Sequence, residues 1–143
     1  MNDYRDRVQK YIKKQEFLNL VGFIITKIYK GYIEGSLKLE NKHKQQKGLL
    51  HGGVTATIAD VVSGFAAYTL LGPNEHVVTA EIKISYLNPG LSKEIWAKGW
   101  VLKSGKRLHF CEAEVYSLNG TQRTMIAKAT STMAVIQESD LAR

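Results

Sequence analysis

The segment from Gly52 to Gly72 constrains the fold more than any other part of this 143-residue chain, because it contains one charged residue, Asp60. Apolar residues recur in it at the spacing of one helical face: Val54, Ile58, Val61 and Phe65. The other side carries small residues, so the helix should be buried almost all round and should end at Gly72-Pro73. A charged aspartate at the centre of a membrane helix costs about 3 kcal/mol. We therefore interpret the segment as the central helix of a soluble domain.

Sequence patterns of period two flank this helix on both sides and predict strands. Two strands are expected before it, over residues 22–30 and 32–40, with Gly31 in a tight turn between them. Four strand candidates follow it: Val77–Leu87, Glu94–Lys103, Arg107–Leu118 and Thr124–Ile136. Short links that contain glycine favour an antiparallel meander. The pattern predicts an α+β protein in which one antiparallel sheet wraps around a long central helix.

Residues 2–18 show an imperfect apolar stripe on a basic background, which predicts an N-terminal helix that caps the fold. Acidic residues interrupt the basic run and disfavour a membrane or nucleic-acid arm. We expect a single domain over residues 1–143, with this helix at 1–18 and the core at 20–136. Such a sheet leaves an open edge and an exposed helix flank, which a two-fold dimer would cover.

The amino-acid composition indicates which cellular compartment and which binding partners to expect. Lys and Arg number 20 against 13 Asp and Glu, so the formal net charge is +7, and a basic surface suits phosphate groups. Cys111 is the single cysteine, which excludes an internal disulfide and a cysteine-based zinc site. The histidines His43, His76 and His109 do not have the spacing of metal ligands. We expect a cytoplasmic protein without metal or cofactor, and neither nucleic acid nor membrane as a partner.

Asp60 is the first candidate for chemistry. A buried carboxylate is costly unless it has a partner, a proton or a role. The structural alternative is a carboxylate that accepts a hydrogen bond from a hydroxyl on the same helix, at Thr57 or Ser63. The functional interpretation is a catalytic carboxylate.

The sequence His51-Gly52-Gly53 is the second candidate. Glycines at a helix start let the backbone approach a ligand, and the free N–H groups of the first turn can polarise a carbonyl. Asp60 lies about two turns, ~11 Å, further along the helix. The two groups are therefore too far apart to act on one carbonyl within a subunit. In a two-fold dimer, Asp60 of one subunit can face Gly52 of the other.

The order of two strands, HGG, a helix with Asp60 and four strands resembles the PaaI-type hotdog-fold acyl-CoA thioesterases over residues 20–136. The resemblance is carried by Gly48, His51, Gly52, Gly53, Asp60, VVTAEIKISYLNPG (77–90) and VLKSGKRLHF (101–110). It implies a hotdog fold, a homodimer or a homotetramer, and hydrolysis of an acyl-CoA substrate to free acid and CoA.

The resemblance also implies roles for individual residues. Asp60 would be the general base or nucleophile, and the Gly52 N–H would polarise the thioester carbonyl across the dimer interface. His51 would hold the loop, and Thr79 would assist Asp60. Gln45 stands where one branch of the family has an asparagine that faces the thioester. The substrate-binding residues would be Gly53, Glu81, Tyr86, Lys103, Gly105, Lys106 and Arg107.

The basic residues of that set flank the Ser104-Gly105 turn, where a nucleotide phosphate would suit them. A solvated basic hairpin is the structural alternative.

Three other functions fit the pattern less well. Hotdog hydratases and dehydratases use a histidine and a carboxylate in a proline-rich setting, and no proline lies near His51. Non-catalytic acyl-CoA sensors join a hotdog domain to a DNA-binding helical domain, and the first 18 residues are too short for a helix-turn-helix. Nucleic-acid binding by the basic surface alone would be a charge effect without sequence preference.

Overall fold

The central helix α3 runs from Gly52 to Tyr68 in the computed structural model, which describes residues 3–141. Its sheet-facing side is formed by fully or nearly fully buried residues: Ile58, Ala59, Val62, Phe65 and Ala66. Val54 and Val61 of the predicted apolar stripe also pack against the core but are only half-buried. The helix backbone also packs directly against a strand on its sheet-facing side, at Val62. The helix ends before the predicted stop at Gly72-Pro73.

Within residues 3–141, two further α-helices and six strands pack around α3. The helices are α1 (Tyr4–Lys14) and α2 (Glu16–Val21), and the strands are β1 (Ile24–Tyr29), β2 (Tyr32–Lys38), β3 (Glu75–Tyr86), β4 (Glu94–Ser104), β5 (Leu108–Asn119) and β6 (Gln122–Gln137). The single helix predicted over residues 2–18 is wrong, because extended backbone at Gln15 separates α1 from α2. Residue 2 lies outside the described residues.

The six strands form one antiparallel sheet in the order β1-β2-β4-β5-β6-β3. An antiparallel sheet around one long helix is thus confirmed. The predicted four-strand meander is wrong for β3, which pairs with β6 at the sheet edge and not with β4. The link between β3 and β4 crosses the ends of the intervening strands, where Leu87 N–H donates to Ile126 O at 2.8 Å and Ser92 N–H donates to Ser117 Oγ at 3.3 Å.

A β-bulge in β3 changes which side chains face the helix. Thr79 pairs with Met133 and Glu81 with Thr132, so Ala80 is an extra residue on the β3 side. Val77 packs against the core before the bulge, and Ile82 packs against it after the bulge. In a regular strand, residues five positions apart lie on opposite faces, so Val77 and Ile82 both reach the core only because of the bulge.

Gly99 on β4 marks the closest approach of the sheet to α3. A methyl group there would lie 2.5 Å from the carbonyl carbon of Val62. We expect Gly99→Ala to destabilise the fold by about 3 kcal/mol, since overpacking typically costs 1–3 kcal/mol. The reverse exchange on the same strand face, Ala97→Gly, should cost about 1 kcal/mol. Denaturant unfolding measures both, and a Gly99→Ala protein as stable as wild type would contradict the close contact.

Candidate active site

The start of α3 presents one free backbone donor. His51 is the N-cap, and its Nδ1 accepts a hydrogen bond from Gly53 N–H at 2.8 Å. The N–H groups of Val54 and Thr55 both donate to His51 O, at 3.0 and 3.3 Å. Within residues 3–141, the Gly52 N–H has no acceptor. This amide therefore points outward, unpaired, at the positive end of a 17-residue helix.

A cavity of about 380 Å³ lies beside this amide. Gln45 and Tyr86 line it together with Gly52, and Tyr86 Oη donates to Gly52 O at 3.0 Å. The side-chain oxygen of Gln45 accepts a hydrogen bond from Lys47 N–H. The predicted residues Gln45, Gly52 and Tyr86 are thus brought together around one backbone donor.

Asp60 lies on the half-exposed flank of α3 and contacts β3. Thr79 Oγ1 donates to Asp60 Oδ1 at 2.6 Å. The predicted structural partners are wrong: Thr57 Oγ1 donates to Gly53 O at 2.9 Å, and Ser63 Oγ is buried without a partner in the described part of the chain. The hydrogen bond to Thr79 leaves Oδ2 of the carboxylate available to water or substrate.

Asp60 and Gly52 line different cavities of one chain. Asp60 and Thr79 line a cavity of about 250 Å³ that Gly52 does not reach. Asp60 is absent from the cavity around Gly52. A single subunit therefore does not bring the carboxylate and the free amide to one reacting atom.

Glu81 is separated from both cavities. It lies two residues after Thr79, but the bulge at Ala80 changes the direction of its side chain. Glu81 is exposed and accepts a hydrogen bond from Thr132 Oγ1 at 3.3 Å. Its predicted contact with substrate has no support from this position.

The basic residue Lys103 lies near the end of β4, Lys106 and Arg107 lie in the turn between β4 and β5, and all three are exposed. None of them forms an ion pair within residues 3–141. A methyl group on Gly105 would lie 2.7 Å from Leu108 O, so this glycine permits the tight turn. This end of the sheet therefore presents three positive charges that form no ion pair within the described residues.

Three aromatic side chains that the sequence did not mark as functional complete the cavity beside Asp60: Tyr11, Tyr68 and His76. Burial and the neighbouring Tyr11 raise the pKa of Tyr68 to about 12, so it remains protonated near neutral pH. In the sequence, His76 lacks the spacing from other histidines that is typical of metal ligands, and Tyr11 is one member of an apolar stripe. No local signal links them, because they are 65 positions apart in sequence.

The family model of the thioesterase superfamily matches residues 47–124, more than half of the chain, and spans Gly52, Asp60 and Thr79. The chain belongs to the thioesterase superfamily. This thioesterase is 30% identical over 115 residues to human acyl-coenzyme A thioesterase 13, covering 78% of this chain and 80% of that protein. Among the described residues, no helix is long and apolar enough to cross a membrane.

Solved structures show the same architecture. A thioesterase family protein from Silicibacter pomeroyi superposes with a TM-score of 0.91 at 27% identity, covering 94% of this thioesterase and 98% of that chain. The PaaI protein of Escherichia coli superposes with a TM-score of 0.84 at 16% identity, covering 94% of each. The predicted hotdog fold and PaaI-type family are confirmed, and the protein is a thioester hydrolase.

Proposed function

We propose that this thioesterase hydrolyses acyl-CoA thioesters, with Asp60 as general base or nucleophile and the Gly52 N–H as the carbonyl-polarising donor. The observation that carries the proposal is the unpaired Gly52 amide at the start of α3. The name of the human relative, acyl-coenzyme A thioesterase 13, supports CoA as the thiol. Backbone donors aimed at a developing oxyanion are typical of acyl transfer.

Asp60 and the Gly52 N–H would together carry out the bond changes of the hydrolysis. As a base, Asp60 takes a proton from water while the water oxygen bonds to the thioester carbon. The carbonyl oxygen becomes an oxyanion that the Gly52 N–H stabilises, and its collapse breaks the C–S bond and releases the CoA thiolate. As a nucleophile, Asp60 itself bonds to the carbon and the C–S bond breaks to release the CoA thiolate, after which water hydrolyses the resulting anhydride to the free acid and the Asp60 carboxylate. In either route, the hydroxyl of Thr79 holds Oδ1, which orients Oδ2.

A two-fold dimer would unite the two cavities. Strand β3 is an edge strand of 12 residues, and Val78 and Tyr86 on it are 47% and 56% exposed. Pairing of β3 with its copy would cover this edge and place the flanks of the two α3 helices side by side. Asp60 would then face Gly52 of the partner subunit, and each dimer would hold two equivalent sites.

The uncommitted cations of the β4–β5 turn would bind the CoA phosphates. We expect Lys106→Ala and Arg107→Ala to raise KM for acyl-CoA about tenfold each with little change in kcat, because they would contact the non-reacting end of the substrate. Lys93→Ala, which removes an exposed lysine before the opposite end of β4, should leave KM unchanged. Initial rates against acyl-CoA concentration separate the two parameters, and an unchanged KM in both turn variants would place the phosphates elsewhere.

Thiol release from a panel of short, medium, long and aromatic acyl-CoAs tests the proposed function directly. We expect turnover on at least one member of the panel and a dimer or dimer of dimers by light scattering. Binding of acyl-CoA without turnover on any thioester would instead favour a sensor or a hydratase or dehydratase. A monomer with full activity would contradict the two-subunit site.

A further inference from the structure

The cavity beside Asp60 is closed at its far end by aromatic rings. The Tyr11 ring lies 4.9 Å from the Tyr68 ring and 5.6 Å from the His76 ring, edge-on to both. Tyr11 Oη also forms a hydrogen bond of 3.0 Å with His76 Nδ1. Side chains from α1, α3 and β3 thus meet in one wall opposite Asp60.

Tyr11 is held in this wall by a well-anchored helix. One turn before it, the Arg7 guanidinium donates to Leu71 O at 2.8 Å and to Gly72 O at 3.0 Å, just beyond the end of α3. Val8 on the same helix is completely buried. Because α1 is fixed by a buried side chain and by hydrogen bonds to carbonyls, Tyr11 forms a rigid boundary of the cavity.

The cavity is small for a ligand site. Its volume is about 250 Å³, whereas pockets for small molecules usually span about 300–1,000 Å³. An apolar cavity of about 150 Å³ holds benzene. The space beyond Asp60 therefore has room for an acyl group of about that size, and an extended long chain would meet Tyr11.

We propose that Tyr11 is a specificity-determining residue that limits the length of the acyl group, so that the substrates of this enzyme carry compact, short acyl chains. The inference rests on the proposed function, since it needs the thioester carbon at Asp60. The acyl chain then runs along α3 past Gly64 and ends at the rings of Tyr11 and Tyr68. Removing the Tyr11 ring opens the cavity toward α1 and admits longer chains.

The test compares kcat/KM along a straight-chain series from acetyl-CoA to dodecanoyl-CoA. In the wild type we expect a fall of at least about tenfold once the chain outgrows the cavity. In Tyr11→Ala this fall should move to longer chains. Tyr11→Phe keeps the ring and should keep the wild-type profile. Tyr4→Ala removes a tyrosine from the same helix that contacts Lys30 instead of the cavity, and should also keep the profile.

Tyr11→Leu serves as a second variant, because leucine retains apolar packing on α1 but is shorter than the ring. It should shift the profile in the same direction as Tyr11→Ala, even if the alanine protein folds poorly. A wild-type enzyme that accepts dodecanoyl-CoA as well as acetyl-CoA, or unchanged profiles in the folded Tyr11 variants, would overturn the length limit and leave the proposed function intact. Absence of turnover by the wild type on every acyl-CoA would overturn both.

Discussion

Asp60→Asn should lower kcat/KM for acyl-CoA hydrolysis by about 10³-fold, within the range for loss of a general acid or base. The asparagine keeps the shape of the side chain, and its Oδ1 can still accept the hydrogen bond from Thr79. It can neither take a proton from water nor form an acyl anhydride. Thiol release measured at several substrate concentrations gives the loss, and thermal melting shows whether the fold is retained.

Two further variants make the Asp60 result specific. Asp140→Asn removes an exposed carboxylate near the end of the described chain and should leave the rate unchanged. Thr79→Val keeps the carboxylate but removes the hydroxyl that orients it, so we expect a loss of about tenfold, smaller than that of Asp60→Asn. Wild-type kcat/KM in Asp60→Asn would exclude this carboxylate from the chemistry.

Gly52→Pro should lower kcat by about 10²- to 10³-fold, the usual effect of removing one oxyanion donor. Proline lacks the N–H that Gly52 would direct at the thioester, yet it is well tolerated at the first position of a helix. The preceding residue, His51, has the extended backbone that proline requires of its neighbour, with φ −65° and ψ 134°. The substitution therefore removes the donor while leaving α3 free to form.

Gly52→Ala is the matched control, because it adds a side chain but keeps the N–H. Its Cβ would lie 3.5 Å from the nearest atom of Tyr86, an ordinary van der Waals contact. The alanine variant should therefore retain most of the activity that the proline variant loses. Equal losses in both would attribute the effect to steric crowding instead of the missing donor. Helical content from circular dichroism confirms that α3 is intact in each protein.

The sequence predicted the central helix and the strand regions because their signals are local. One charge in a long apolar segment singled out Asp60, and HGG at the beginning of that segment marked the helix start. The position of β3 was not predictable in this way. Short glycine-containing links suggest pairing of neighbours, whereas the link after β3 crosses two strands and is held by contacts with Ile126 and Ser117.

Contacts between distant residues account for the other departures. The buried side of α3 includes Ala59, Val62 and Ala66 beside the apolar stripe, and Gly99, far along the chain, admits the helix backbone at Val62. The contact between Tyr11 and His76 was not predictable either, since the local sequence pattern around each residue is explained without the other. Helix periodicity reveals which side is apolar, but not which neighbour allows the closest approach.

The bulge at Ala80 bears on how chains of this kind diverge by insertion and deletion. Because the bulge absorbs one residue, loss of Ala80 would leave strict alternation along β3, with Val77, Thr79 and Ile82 still on the side that faces the helix. Asp60 would then keep its hydroxyl partner. A homologue whose β3 is shorter by this one residue can therefore retain the aspartate–threonine pair, and strand length alone does not sort homologues by that pair.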